Sequence, residues 1–180
     1  SSFGILPEEE IQFFRSQLSV LQFKKGRFFL KPGDDASRLA YVRDGLVKIS
    51  IQLQNGKEVV KSFHATGSVV TDFTSYINGT PSSVSIKALA DTSLIVTHSG
   101  IKQNLELRNL IWSRVELHIA QQFYMRKSKR ETEFLTLNAR EIYDKFLKEN
   151  PEIVSKIPQK DLASYIGVTP VSLSRLLRTK

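Results

Sequence analysis

The sequence predicts an α+β protein: an antiparallel β-roll of the double-stranded β-helix or jelly-roll type, then one long helix, then a compact group of short helices. From Leu21 to Val96, short apolar runs alternate with turn-forming clusters, at the roughly ten-residue spacing of a sandwich or roll of about eight strands. Past Ser99 the apolar period lengthens to that of a helix and holds over many turns. From Ile157 to Lys180 the apolar residues are spaced as two short helices with one shared core.

Taken in order, Ile5, Ile11, Phe13, Phe14 and Leu18 stand among polar residues with a helical period, and acidic residues follow Pro7, so a short leading helix is expected. The β-type runs are FKKGRFFL, LAYVRDGLVKISI, KEVVKSF, SVSIKAL and SLIVT, broken by PGDDAS, QNGK, NGTPS and ADT. Asn55-Gly56 predicts a hairpin closed by a type I′ turn, which requires positive φ at both central residues. Gly45, after Arg43-Asp44, marks another tight corner. Residues 1–99 form the expected roll domain.

Residues 100–134 are expected as the long helix and a hinge. Leu105, Ile111, Trp112, Val115, Ile119, Gln122 and Phe123 lie near one side of it. A stripe that includes the only Trp could pack on the roll or on a copy of itself. RKSKRETEF alternates in charge and should be solvated. Residues 135–180 are expected as the terminal helical domain. Its first helix, LNAREIYDKFLKEN, is capped by Thr136 or Asn138 and stopped by Asn150-Pro151.

Composition excludes several classes. With no cysteine, disulfides, thiolate metal sites, cysteine nucleophiles and thiolate-ligated iron–sulfur clusters are ruled out. The three histidines, His64, His98 and His118, lie on separate segments. They form no metal-ligand pattern, a single histidine is more often structural than a haem ligand, and no nucleophile–base pair stands out, so neither an enzyme nor a metal site is expected. No 18-residue apolar run or signal-peptide pattern occurs, which predicts a cytoplasmic protein without a membrane partner. The net charge of +8 and pI near 9.7 favour a polyanionic partner. Residues 126–180 hold 12 Lys and Arg against 7 Asp and Glu, whereas residues 1–125 hold 14 against 11, so the basic excess is concentrated toward the C-terminus.

The stretch IPQKDLASYIGVTPVSLSRLLRTK is the most informative. Leu162, Ala163 and Ile166 precede Gly167, and Val168, Leu173, Leu176 and Leu177 follow it. Gly167 permits a sharp turn, Thr169 is a natural N-cap, and Pro170 suits the first helical position. This is the pattern of a helix-turn-helix, whose second helix would enter the major groove of DNA. Its outward positions are Pro170, Val171, Ser174, Arg175 and Arg178. Arg175 is the candidate for base readout, since a guanidinium matches guanine O6 and N7 bidentately. Gln159, Lys160, Thr169 and Ser172 are placed to hold phosphates.

On these motifs the whole chain resembles the Crp/Fnr superfamily of bacterial regulators: a roll like a cyclic-nucleotide-binding domain, a dimerisation helix, and a C-terminal winged helix-turn-helix. QKDLASYIGVTPVSLSRLL looks like the family's DNA-binding signature, with Arg175 at a base-contacting position. Pro170 and Val171 replace charged residues familiar in catabolite activator proteins, so a different DNA site is implied. The resemblance implies a homodimer on a pseudo-palindromic site, joined through the helix around Leu105 to Phe123, with RNA polymerase a further partner. The chain ends a few residues past the recognition helix, leaving the wing short or absent. In cyclic-nucleotide-binding relatives a Gly-Glu pair and an Arg-Ser pair hold the ribose and phosphate. Here Thr71-Asp72 replaces Gly-Glu, Ser82 stands at the arginine position beside Ser83, and Met125 and Arg126 fall where cAMP-responsive relatives carry hydroxyls. No cAMP response is therefore expected; the roll binds another small molecule or none, and Lys87 substitutes only if it points inward. The alternative is a protein-interaction module of the same fold, consistent with Pro170 and Val171 in reading positions.

Overall fold

The computed structural model describes residues 7–178. Eight strands form two four-stranded antiparallel sheets. The first has the order β1 (Leu18–Phe23), β8 (Thr92–Thr97), β3 (Ala40–Asp44), β6 (Val69–Val70). The second has the order β2 (Phe28–Leu30), β7 (Ser85–Ala88), β4 (Leu46–Gln52), β5 (Glu58–Ala65). Alternation decides which side chains enter the space between them. Ala40 and Val42 of β3 point inward, as do Val47 and Ile49 of β4, and they meet Ile86, Leu94 and Val96 in one core.

Gly45 joins β3 to β4 with φ +110°, and a Cβ there would lie 2.7 Å from the Thr92 Cα and 2.8 Å from the Asp91 carbonyl. Only glycine fits that corner. The β4–β5 turn differs from expectation. Gly56 has positive φ but Asn55 does not, so the turn is not type I′. Gly56 N–H donates to Leu53 O and Leu53 N–H to Lys57 O, the longer loop in which one left-handed glycine follows an ordinary turn. β1 begins at Leu18, earlier than the apolar run suggests, and α2 (Phe73–Asn78) lies between β6 and β7.

The leading helix is α1 (Glu8–Ser16); Ile5 lies outside the described residues. Past the roll, the expected long helix is divided. α3 (Ile101–Arg108) ends at Asn109, whose extended backbone breaks the helix and whose Oδ1 accepts from Ile111 N–H to start α4 (Leu110–Thr136). α4 runs on through the charged segment, helped by i,i+4 pairs such as Lys129 and Glu133, but the segment is not wholly solvated as expected: Arg130 and Glu133 are half-buried where α4 meets the terminal helices. The apolar stripe turns inward. Trp112 is buried beside Phe14 of α1 and donates its indole N–H to the buried Glu10 at 2.7 Å. That hydrogen bond and those from Arg108 hold the Glu10 carboxyl below its ordinary value. Phe123 stacks on Phe73 at 4.4 Å. Gln122 is exposed and does not belong to the stripe. A different face of α4 stays open, with Leu110, Leu117 and Tyr124 exposed at seven-residue spacing.

The terminal helices are α5 (Ala139–Glu149), α6 (Gln159–Ile166) and α7 (Pro170–Arg178). Asn138, not Thr136, caps α5: it accepts from the Arg140 and Glu141 N–H groups while Glu141 returns a bond to its backbone. Between α5 and α6, Pro151 and Pro158 bracket a loop with a single 3₁₀ turn. No strand flanks α6 or α7 among the described residues, so the implied wing is not found there.

Candidate nucleic-acid interface and the roll cavity

α6 and α7 pack through Leu162, Ala163, Ile166 and Leu173 onto Ile142 and Phe146 of α5 and onto Ile153 and Ile157. Gly167 ends α6 with φ +89°, and the N–H groups of Gly167 and Val168 both reach the Ala163 carbonyl at 3.0 Å. The positive φ favours glycine here, and a Cβ would stand 2.7 Å from Phe134 Cζ, so the exposed Phe134 ring would have to swing aside. Thr169 Oγ1 then accepts from Ser172 N–H at 3.1 Å, and the two hydroxyls lie 2.8 Å apart. This is a side-chain N-cap, with Pro170 where a missing N–H costs nothing.

The resulting surface presents Pro170, Val171, Ser172, Arg175 and Arg178, all exposed, with Thr169 beside them and Gln159 and Lys160 exposed at the start of α6. Two positions differ from the helical-wheel expectation. Ser174 is half-buried, and Leu177, expected in the core, is 36% exposed; α7 is rotated so that Leu173 alone is fully sealed. Thr169 and Ser172 hydroxyls are engaged in the cap, so a phosphate would share them with it.

A cavity of about 930 Å³ is lined jointly by the roll, α4 and the terminal helices. Thr71, Asp72 and Arg126 line it. Met125 does not: it is 63% exposed, one helical step from Arg126 and turned off the cavity. Ser82 and Ser83 do not line it either, contrary to expectation: both are drawn onto Asp72. The Asp72 carboxylate accepts from Ser83 N–H (2.8 Å), Ser83 Oγ (2.9 Å), Ser75 Oγ (3.0 Å) and Ser82 Oγ (3.3 Å). Burial pushes this carboxyl up, but the bonds from Ser83 and Ser75 outweigh it and hold the group ionised. A resident anion thus occupies the donors a ligand phosphate would need. Thr71 Oγ1 donates to Arg38 O. Lys87 lies 5.0 Å from the Phe28 ring centroid, away from the cavity lining.

Burial first, and the Arg126 charge second, press the His64 imidazole down to about 3, so it is neutral, with Nε2 2.9 Å from Ser62 Oγ. No cluster of three or more His, Cys, Asp or Glu side chains capable of holding a metal occurs among the described residues. Among them, no helix is long and apolar enough to cross a membrane.

The contact between the terminal helices and the roll is not legible in the sequence. α6 lies along β5, Phe63 meets Phe146 and Tyr165 at centroid distances of 5.8 and 5.3 Å, and Arg130 of α4 stacks on Tyr165 while donating to its carbonyl. The one available signal is Leu46, Lys48 and Ser50, which point out of the roll by alternation yet include an apolar residue.

Residues 20–100 match the cyclic nucleotide-binding domain family. A search of curated protein sequences found no match. Among solved structures, the chain is similar to FixK2 from Bradyrhizobium japonicum (TM-score 0.77, 17% identity, 89% of this chain and 82% of that one). It is also similar to CLP, a c-di-GMP-responsive global regulator from Xanthomonas campestris (0.76, 18%, 96% and 90%). A third similar structure is a crp/fnr-family transcriptional regulator from Eubacterium rectale (0.78, 17%, 96% and 82%).

Proposed function

The chain combines a cyclic nucleotide-binding domain with the overall fold of Crp/Fnr transcription regulators, and from that premise we propose that it is a sequence-specific DNA-binding regulator acting as a homodimer. The observation that carries this reading is α7: a capped helix fixed from beneath by Leu173, with Arg175 and Arg178 exposed on its outer side in the more basic end of the chain. Arg175 reads a base edge; Lys160 and Gln159 hold phosphates. The self-partner docks on the exposed seam Leu110–Leu117–Tyr124, whose seven-residue repeat suits two parallel helices. The two α7 helices then read a pseudo-palindrome.

Cyclic AMP is not the effector in this reading, because Asp72 fills the donor set with its own carboxylate and no guanidinium faces it from the α2–β7 segment. RNA polymerase is a further proposed partner, and the site is cytoplasmic and non-enzymatic. Exposed Val171 (61%) beside Pro170 favours one second reading, a protein-interaction module. Duplex binding separates the two. Arg175→Ala is expected to lower discrimination between cognate and mismatched duplexes by ~10–100-fold, from about 1–3 kcal/mol of lost readout. Lys160→Ala is expected to weaken all duplexes alike and reduce the salt slope by about one. Equal loss of discrimination in both variants refutes the assignment, and binding that is indifferent to sequence favours the second reading.

A further inference from the structure

Lys48 sits in the middle of β4, on the side of the strand facing out of the roll, where a lysine would ordinarily be solvated. It is nevertheless 3% exposed. Its Nζ lies 2.9 Å from Asp161 Oδ1 of α6, itself 6% exposed, and 2.9 Å from Glu58 Oε2 of β5; Glu58 Oε1 in turn accepts from Ser50 Oγ at 2.7 Å. A buried ammonium requires such complete compensation, and here one of its two carboxylates comes from the first helix of the reading unit.

The neighbouring contact is equally specific. β5 is the outer strand of its sheet, so its outer edge has unpaired backbone groups. Ser164 of α6 accepts from Val60 N–H at 3.0 Å and donates to Glu58 O at 3.3 Å, satisfying that edge in both directions. Leu46 and Phe63 of the roll join Leu162, Ala163 and Tyr165 in one core. This surface is matched group for group. It leaves the outer face of α7 exposed, so docking orients the reading helix without covering it.

We propose that Lys48 is a positioning residue for DNA recognition: by pairing with Asp161 in the buried β5–α6 interface, it fixes the angle at which the roll presents α7. The inference rests on the DNA-binding reading above and adds that the orientation is built in, with no effector needed to set it. In a homodimer that angle decides whether both α7 helices reach their half-sites at once. Losing it costs the avidity of the second contact, not the affinity of the first.

The test uses the full chain and three proteins: wild type, Lys48→Met, and Lys48→Met with Asp161→Leu, which replaces the ion pair by an apolar one of similar volume. Binding to a full inverted repeat and to a single half-site is measured in parallel. Lys48→Met is expected to weaken full-site binding by ~10–100-fold while half-site binding stays within about twofold, and the double variant to recover the full site. Equal full-site affinity in wild type and Lys48→Met overturns the proposal, as do equal losses on both duplexes with no recovery in the double variant. Tighter full-site binding by Lys48→Met also overturns it. A DNA-free arm separates this from failure of the DNA-binding reading. Because the chain has no cysteine, spin labels at Asn55→Cys and Val171→Cys report the distance between roll and α7. A single narrow distance in wild type, broadened by Lys48→Met and narrowed again in the double variant, supports positioning even if no duplex binds. A distance distribution that Lys48→Met leaves unchanged overturns it.

Discussion

Acid should destabilise this protein well above the range in which its carboxylates titrate, and His64 is the reason. Its imidazole is buried and held near 3, against an ordinary value of 6.5. In the unfolded chain the ring takes a proton as pH falls through about 6.5, while in the folded chain it stays neutral. The unfolded state then binds more protons, so the stability from a neutral His64 is fully present above about pH 6.5 and is lost progressively as pH falls toward 3. At 1.36 kcal/mol per pH unit, the loss between pH 7.5 and pH 5 is about 2 kcal/mol. For a chain of this size that corresponds to ~4–8 °C in Tm. Asp72, Glu10 and Asp91 are likewise held below ordinary carboxylate values, but those values lie lower, so their contributions fade only below about pH 4. The two windows are separate. Urea unfolding at pH 7.5 and pH 5 for wild type and His64→Gln isolates the effect, since glutamine can retain a bond to Ser62. Wild type is expected to lose about 2 kcal/mol more than the variant across that interval. Identical losses in the two proteins would show that His64 titrates normally and would refute the reasoning.

Two further expectations follow from packing. Leu173 is 1% exposed, at the centre of the core shared by α5, α6 and α7, so Leu173→Ala should destabilise by about 3 kcal/mol, with ~2–5 the range for such cavities; a denaturant midpoint unchanged from wild type would contradict that placement. On α4, Leu117→Glu should dissociate the proposed homodimer: losing the two leucines that the proposed seam would bury is worth on the order of 3–6 kcal/mol, which raises the dimer Kd by at least ~100-fold. Sedimentation equilibrium checks this, and an unaltered dimer would move the self-interface away from the Leu110–Leu117–Tyr124 seam.

How much of this was readable in the sequence depends on how local its cause is. The roll was readable because alternation in runs such as SLIVT and the turn glycines report on neighbours a few residues away. The two helices α6 and α7 and the turn between them were readable for the same reason: Gly167, Thr169 and Pro170 each act on the adjacent backbone. What failed was non-local or depended on one dihedral angle. Asn55 next to Gly56 is compatible with two hairpin loops that differ only in the sign of φ at Asn55. Asn109 interrupts the long helix although nothing about its neighbours forbids helical geometry. The sequence leaves the stripe around Trp112 open between self and roll; Trp112 itself is buried by Glu10 and Phe14 of α1, about a hundred residues away, while Leu105, Ile111, Val115 and Ile119 stay half-buried. The cavity-facing set was only partly legible, since Arg126 lines the cavity and Met125 does not, a matter of helix phase. Lys48 gave no sign of its role because a lysine on an outward strand position reads as solvated, and only the three-dimensional arrival of Asp161 buries it.

The central claim is that this chain reads DNA sequence as a dimer without an added effector. Selection of bound duplexes from a random pool by the purified, ligand-free protein tests it most directly. An enriched inverted repeat, with half-sites about one helical turn apart, is the predicted result. Recovery of duplexes with no shared sequence, held only by salt-sensitive charge, would contradict it.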